Sequence, residues 1–145
     1  MDSPAEQQPL RPRSALIVDD SPIIRTVLVH LFADYSVECD QAGTGADAIR
    51  RFEERLERNE SYDVVCLDVH LPDMSGVAVL NRMRRLERST PGCVKTHIVI
   101  LTADDSEQVV KSMVLDGADA YYLKPFDRGS LGTHLDRLFR GRAAT

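Results

Sequence analysis

The sequence predicts an α/β fold: a single domain built on an open parallel sheet with helices on both faces. Two observations carry that prediction. Short apolar runs that read as strands alternate five times with stretches of helical periodicity, the pattern of a sheet covered on both sides. The chain has 145 residues, 43% hydrophobic and 28% charged, which is enough for one core and too little for two.

Taken in order, residues 1–13 hold three of the seven prolines and almost nothing apolar, and are expected to form a flexible tail. The domain is expected over 14–140, with a short polar tail at 141–145. Ala15-Leu16-Ile17-Val18 reads as a strand buried on both faces and ends in Asp19-Asp20. Ser21-Pro22 opens a helix, with a capping hydroxyl and then proline at the first helical position. Ile23, Ile24, Val27, Leu28, Leu31 and Phe32 follow at helical spacing. Residues 37–40 form a weaker second strand. Thr44 opens a second helix, with Ala48, Ile49, Phe52 and Leu56 on one face. Val64-Val65-Cys66-Leu67 is the third strand and ends in Asp68; the turn from His70 to Gly76 leads into a helix carrying Val77, Leu80 and Met83. Residues 89–96 are polar, contain Pro91-Gly92 and read as a loop. His97-Ile98-Val99-Ile100-Leu101 is the fourth strand, ending at Thr102. A helix from about Ser106 carries Val109, Val110, Met113 and Val114 and stops at Gly117. Ala120-Tyr121-Tyr122-Leu123 is the fifth strand, ending at Lys124-Pro125, and Leu131, Leu135 and Leu138 mark the last helix.

Composition excludes several function classes. Lys+Arg number 18 against 23 Asp+Glu, a formal net charge of -5, so no direct nucleic-acid binding through a general field is expected. No apolar run approaches the ~18 residues that span a bilayer, so no membrane insertion is expected. The N-terminus lacks the apolar core of a secretory signal. Cys39, Cys66 and Cys93 are an odd set without metal spacing, which fits reduced thiols and a cytoplasmic location.

Ligands of open parallel sheets bind beyond the carboxyl ends of the strands. Those ends carry Asp19, Asp20, Asp68, Thr102 and Lys124. Clustered carboxylates repel one another, and a divalent cation removes the conflict. An all-oxygen ligand set favours a hard ion such as Mg²⁺. A lysine and a hydroxyl beside it suit a phosphoryl group, and a carboxylate can itself be the nucleophile that takes one. Asp68, the single acid closing the central strand, is the best candidate. Singly, each residue has an ordinary explanation: Asp19, Asp20 or Thr102 could cap a helix, and Lys124 could be a solvated charge. Together on one rim, the functional explanation is the better one.

The motifs Ile17-Val18-Asp19-Asp20-Ser21, Leu67-Asp68-Val69-His70-Leu71-Pro72-Asp73-Met74-Ser75-Gly76, Leu101-Thr102-Ala103, Gly117-Ala118-Asp119 and Lys124-Pro125-Phe126 follow one another over nearly the whole ordered chain. In this set the sequence resembles the receiver domain of two-component response regulators, the chemotaxis-regulator type included. The resemblance implies a flavodoxin-like doubly wound sheet of order 2-1-3-4-5 flanked by five helices. It implies that Asp68 is the phosphoacceptor, that Thr102 and Lys124 hold phosphoryl oxygens, and that Mg²⁺ or Mn²⁺ is bound by Asp19, Asp20, Asp68 and the His70 backbone carbonyl. A cis Lys124-Pro125 bond is implied as well. Tyr121 falls at the family's aromatic switch position, and His70 and Asp104 at the two positions that tune phosphoryl lifetime. The implied donor is a sensor histidine kinase or a histidine phosphotransfer protein.

On this reading phosphorylation shifts a pre-existing equilibrium in the face made by the fourth helix, fifth strand and fifth helix, which an unknown downstream protein reads and which could also support a homodimer. The chain would be a single-domain regulator or the isolated N-terminal receiver of a longer one, and not a turnover enzyme. A phosphatase or dehalogenase would place a second acid where His70 stands. A module that never takes phosphate would have lost the acids, threonine or lysine, and a flavin phosphate would meet the acidic first turn. His30, His97 and His134 are expected in surface or capping roles. Arg82, Arg84, Arg85 and Arg88 are expected on a solvated face, with a docking patch for an acidic partner as the lesser reading.

Overall fold

Strand residues of alternating direction divide the apolar side chains between two cores. The computed structural model describes residues 13–140. The expected tails, 1–13 and 141–145, lie outside the described residues except for Arg13, which opens the first strand. The strands are β1 (Arg13–Val18), β2 (Val37–Ala42), β3 (Val64–Leu67), β4 (His97–Thr102) and β5 (Ala120–Leu123). All pair in parallel in the order β2-β1-β3-β4-β5. The helices are α1 (Pro22–Ala33), α2 (Gly45–Glu57), α3 (Gly76–Arg88), α4 (Glu107–Leu115) and α5 (Arg128–Leu135), the last running into a π-helical turn at Asp136–Arg140. Five parallel strands flanked by five helices are the architecture that the sequence predicts.

Period-two alternation does the sorting. Leu16, Val65, Leu67, Ile98 and Ile100 point to one face, where Phe52 of α2, Leu80 and Met83 of α3 and Met113 of α4 cover them. Ala15, Ile17, Val64, Cys66, Val99 and Leu101 point to the other, under Leu28 and Phe32 of α1, Leu131 and Leu135 of α5, and Phe139. β1, β3 and β4 are buried on both sides and so read as continuous apolar runs. β5 at the sheet edge is only half-buried.

The caps expected at two helix starts are present. The Ser21 hydroxyl accepts from the Ile24 N–H, and that of Thr44 from the Asp47 N–H. Three expectations need correction. Ile23 is not on the apolar stripe but 75% exposed, because the first turn of α1 rises past the end of the sheet. Val114 is likewise exposed near the end of α4. Arg84 is not on a solvated face. It is 5% exposed and lies in the stripe that packs on the sheet, one turn after Leu80.

Candidate functional site

The parallel register brings the ends of β1, β3, β4 and β5 to one rim. The Asp68 N–H donates to the Val18 carbonyl (3.0 Å), so Asp68 lies beside the β1 terminus. The Lys124 N–H donates to the Thr102 carbonyl (2.7 Å), which aligns the ends of β4 and β5. Oxygens of Asp19, Asp20 and Asp68 all lie within 4.8 Å of one another. Asp19 and Asp68 are buried, and Asp20 is exposed at the mouth.

The Lys124 amine donates to Asp68 Oδ2 (3.1 Å) and to Asp19 Oδ2. Burial works against its charge, but the hydrogen bonds to the two carboxylates outweigh it and hold its pKa above the ordinary value. The second carboxylate oxygens are fixed by backbone: Asp19 Oδ1 accepts from the Ser21 N–H (2.9 Å), and Asp68 Oδ1 from the His70 N–H (3.3 Å). One lysine against three carboxylates leaves two negative charges unbalanced. That surplus and the all-oxygen donor set fit a divalent hard cation, which Asp19, Asp20 and Asp68 could hold.

Thr102 is fully buried at the end of β4, and its Oγ1 accepts from the Asp104 N–H (3.3 Å). His70 Nε2 meets Asp104 Oδ2 at 2.7 Å, so two side chains from opposite loops pair across the mouth. The Ser106 N–H and then His70 hold the Asp104 carboxyl below its ordinary pKa. The Tyr121 ring packs against the core on the α2, α3 and α4 side, and its hydroxyl donates to the Asp104 carbonyl. Burial first, then the charges of Asp104 and Asp105, push the Tyr121 pKa up. The Lys124-Pro125 bond is cis.

The sequence pattern of the response regulator receiver domain matches residues 15–136. The chain belongs to this family. A receiver domain of two-component systems therefore carries the acidic rim. Among curated relatives, "Probable transcriptional regulatory protein TcrX" of Mycobacterium tuberculosis is 31% identical over 93% of this receiver and 53% of its own length. "Chemotaxis protein CheY" of Treponema pallidum is 28% identical over 86% of the receiver and 82% of its own length. The receiver spans about half or less of the length of most of the curated relatives that it matches. Among solved structures, a CheX-CheY-BeF3-Mg complex from Borrelia burgdorferi shares the fold with a TM-score of 0.76 and 26% identity, over 88% of this chain and 90% of that one.

Three residues that support the receiver's rim, and a fourth that braces the opposite end of the sheet, have no role assigned by the sequence pattern. Arg25 Nη1 donates to the Asp19 carbonyl (2.6 Å) and its Nε to Gln41 (3.1 Å), bracing the turn after β1. Asp73 accepts from the Gly45 and Ala46 N–H groups (2.8 and 2.9 Å), tying the turn after β3 to the start of α2. Gly76 lies so close behind Asp68 that a Cβ there would stand 2.1 Å from the Asp68 carbonyl oxygen. Arg84 is far from the rim but holds α3 to the turn before β5. Asp73 and Gly76 lie inside the motif that follows β3, and Arg84 has a periodic signal, its place four residues after Leu80.

Proposed function

We propose that this receiver takes a phosphoryl group from a phosphohistidine onto the carboxylate of Asp68 and so changes its partners. The single observation that carries the reading is the Lys124 amine shared by Asp19 and Asp68 inside a three-carboxylate cluster at the strand ends. A carboxylate oxygen of Asp68 attacks phosphorus in line, the P–N bond to the donor imidazole breaks, and the imidazole nitrogen keeps the electron pair. Lys124 releases one of its contacts to hold a phosphoryl oxygen, and the Thr102 hydroxyl donates to another. Mg²⁺ or Mn²⁺ would be held by Asp19, Asp20, Asp68 and the His70 backbone carbonyl, and when bound supplies charge neutralisation between the carboxylate and the incoming anion.

Tyr121 is the second element of the switch. Its hydroxyl is bonded to the loop that follows Thr102, so a shift of Thr102 toward a phosphoryl group is felt at β5. The face of α4, β5 and α5 then carries the signal to a downstream protein or a second copy. His70 and Asp104, paired across the mouth, govern the access of water to the acyl phosphate. The donor is a histidine kinase or histidine phosphotransfer protein in the cytoplasm, and the chain acts as a phosphoacceptor and not as a turnover enzyme. The family match and the likeness to a CheY whose structure was solved with BeF3 and Mg support this reading.

The test is intact-protein mass spectrometry after incubation with Mg²⁺ and acetyl phosphate, beside Asp68→Asn. Gain of one phosphoryl group by the wild type alone is the expected result. If neither acetyl phosphate nor a beryllofluoride titration followed by NMR perturbs the rim, the phosphoacceptor reading is wrong.

A further inference from the structure

α3 has the sequence GVAVLNRMRRLER, with four arginines and one glutamate, in a chain whose net charge is -5. The buried Arg84 takes up Glu87. Arg82, Arg85 and Arg88 remain, spaced three residues apart on the exposed side of the helix, and none forms an ion pair among the described residues. This cationic row stands beside two hollows, the first of them with apolar walls. A shallow hollow of about 580 Å³ is walled by Ile49, Val77 and Ala78 together with Arg82 and Arg85. A second, of about 420 Å³, is lined mainly by charged groups, Arg84, Arg88 and Lys95 with the acids Glu87 and Asp116, and offers the apolar Leu115, 85% exposed. Asp116 borders both, so they form one track along α3.

We infer that this track is a docking groove for an acidic amphipathic helix of a partner protein, lying along α3 and reaching α4 only at its last residue, Leu115. Thirteen residues of α3 extend about 20 Å, which matches a partner helix of three to four turns. Leucine-type side chains of the partner cover Ile49, Val77, Ala78 and Leu115, and its carboxylates meet the three unpaired guanidinium groups, which suit bidentate pairing. The apolar walls argue against a nucleic acid, whose backbone would leave Ile49, Val77 and Leu115 uncovered while the chain's negative field repels it.

The probe is a fluorescein-labelled peptide of about fourteen residues, leucine at helical three-four spacing and glutamate elsewhere, followed by anisotropy with the full chain. Three controls accompany it: lysine in place of glutamate, serine in place of leucine, and single-stranded oligo-dT. The acidic leucine peptide should bind, and Arg82→Glu with Arg85→Glu should weaken it at least about tenfold and let the lysine peptide bind instead. Both arginines are exposed and outside the acidic rim, so the thermal midpoint and phosphorylation by acetyl phosphate should not change. Failure of the acidic peptide to bind, or equal binding to the double variant, overturns the inference. Equal binding of the serine peptide removes the amphipathic partner. Tighter, arginine-dependent binding of oligo-dT replaces it with a nucleic acid.

Discussion

Arg84→Met should destabilise the fold far more than any other arginine substitution on α3. Methionine keeps most of the volume and removes the charge and the donors. In the structure Arg84 Nε and Nη2 both donate to the Gly117 carbonyl (3.1 and 2.8 Å), Nη1 to the Thr96 carbonyl (2.8 Å) and Glu87 (2.8 Å), and Nη2 also to Asp119 (2.9 Å). One side chain thus joins α3, the loop before β4 and the turn before β5. Removing it strands Glu87, 8% exposed, and Asp119, 26% exposed, although the Thr96 and Ile98 N–H groups still serve them. Breaking a buried pair from one side costs about 3–5 kcal/mol. The partial exposure of Asp119 puts the expectation near the lower end, at about 3 kcal/mol. With a urea slope of about 1–3 kcal/mol/M, the unfolding midpoint falls by about 1–3 M. Adding Asp119→Asn should return part of the loss, since the stranded charge is then gone. Arg82→Met, measured beside it, should change the unfolding free energy by less than about 0.5 kcal/mol. A loss below about 1 kcal/mol for Arg84→Met, the scale of a surface ion pair, would refute the account of Arg84 as a buried clamp.

Gly76→Ala should cost about 3 kcal/mol, the upper end of the usual overpacking range, because its methyl group meets backbone at 2.1 Å, and the thermal midpoint would report it. The same variant should take up phosphoryl from acetyl phosphate poorly, since the displaced atoms belong to Asp68. His97 Nε2 and His134 Nε2 lie 2.9 Å apart, one donating to the other, and burial holds the pKa of each below the ordinary 6.5. The unfolded chain therefore binds these protons more readily, so the contribution of the pair is full above pH 6.5 and is lost as pH falls below it. A urea midpoint that drops between pH 7 and 5.5, with the drop reduced in His134→Gln, is expected; equal slopes for the two proteins would disprove it. For phosphoryl lifetime, His70→Ala and Asp104→Ala should act through their 2.7 Å contact, so the double variant should differ little from the stronger single one when decay is followed by mass spectrometry.

The strands buried on both faces were readable because their apolar runs are short, rich in Val and Ile, and alternate with stretches of helical periodicity, and the site was readable because parallel strands leave their last residues together. Asp19, Asp68, Thr102 and Lys124 could be placed on one rim with no structure at all. What stayed hidden depends on contacts between segments distant in sequence. Asp73 bonding the start of α2 has no periodic signature, and Arg25 reaching the Asp19 carbonyl looks like any helical arginine. Arg84 is the instructive case. Four arginines in seven residues suggest a solvated face, yet helical spacing from Leu80 assigns the second of them to the core side. Ile23 shows the reverse error, since periodicity knows nothing of where the sheet ends and the helix has nothing left to cover.

The sheet that separates the two apolar cores also acts as a partition for protein engineering. Leu16 and Ile17 are neighbours in sequence but touch different sets of partners, one beneath α2, α3 and α4 and the other beneath α1 and α5. Substitutions without shared partners add, and those in contact do not. A library that varies Leu28, Leu131 and Phe139 together can therefore be screened separately from one that varies Phe52, Leu80 and Met113. The winners can then be combined with little mutual interference. Each half can be stiffened or loosened independently, and the half containing Met113 and the Tyr121 ring is the one whose tuning would reach the α4 side of the molecule.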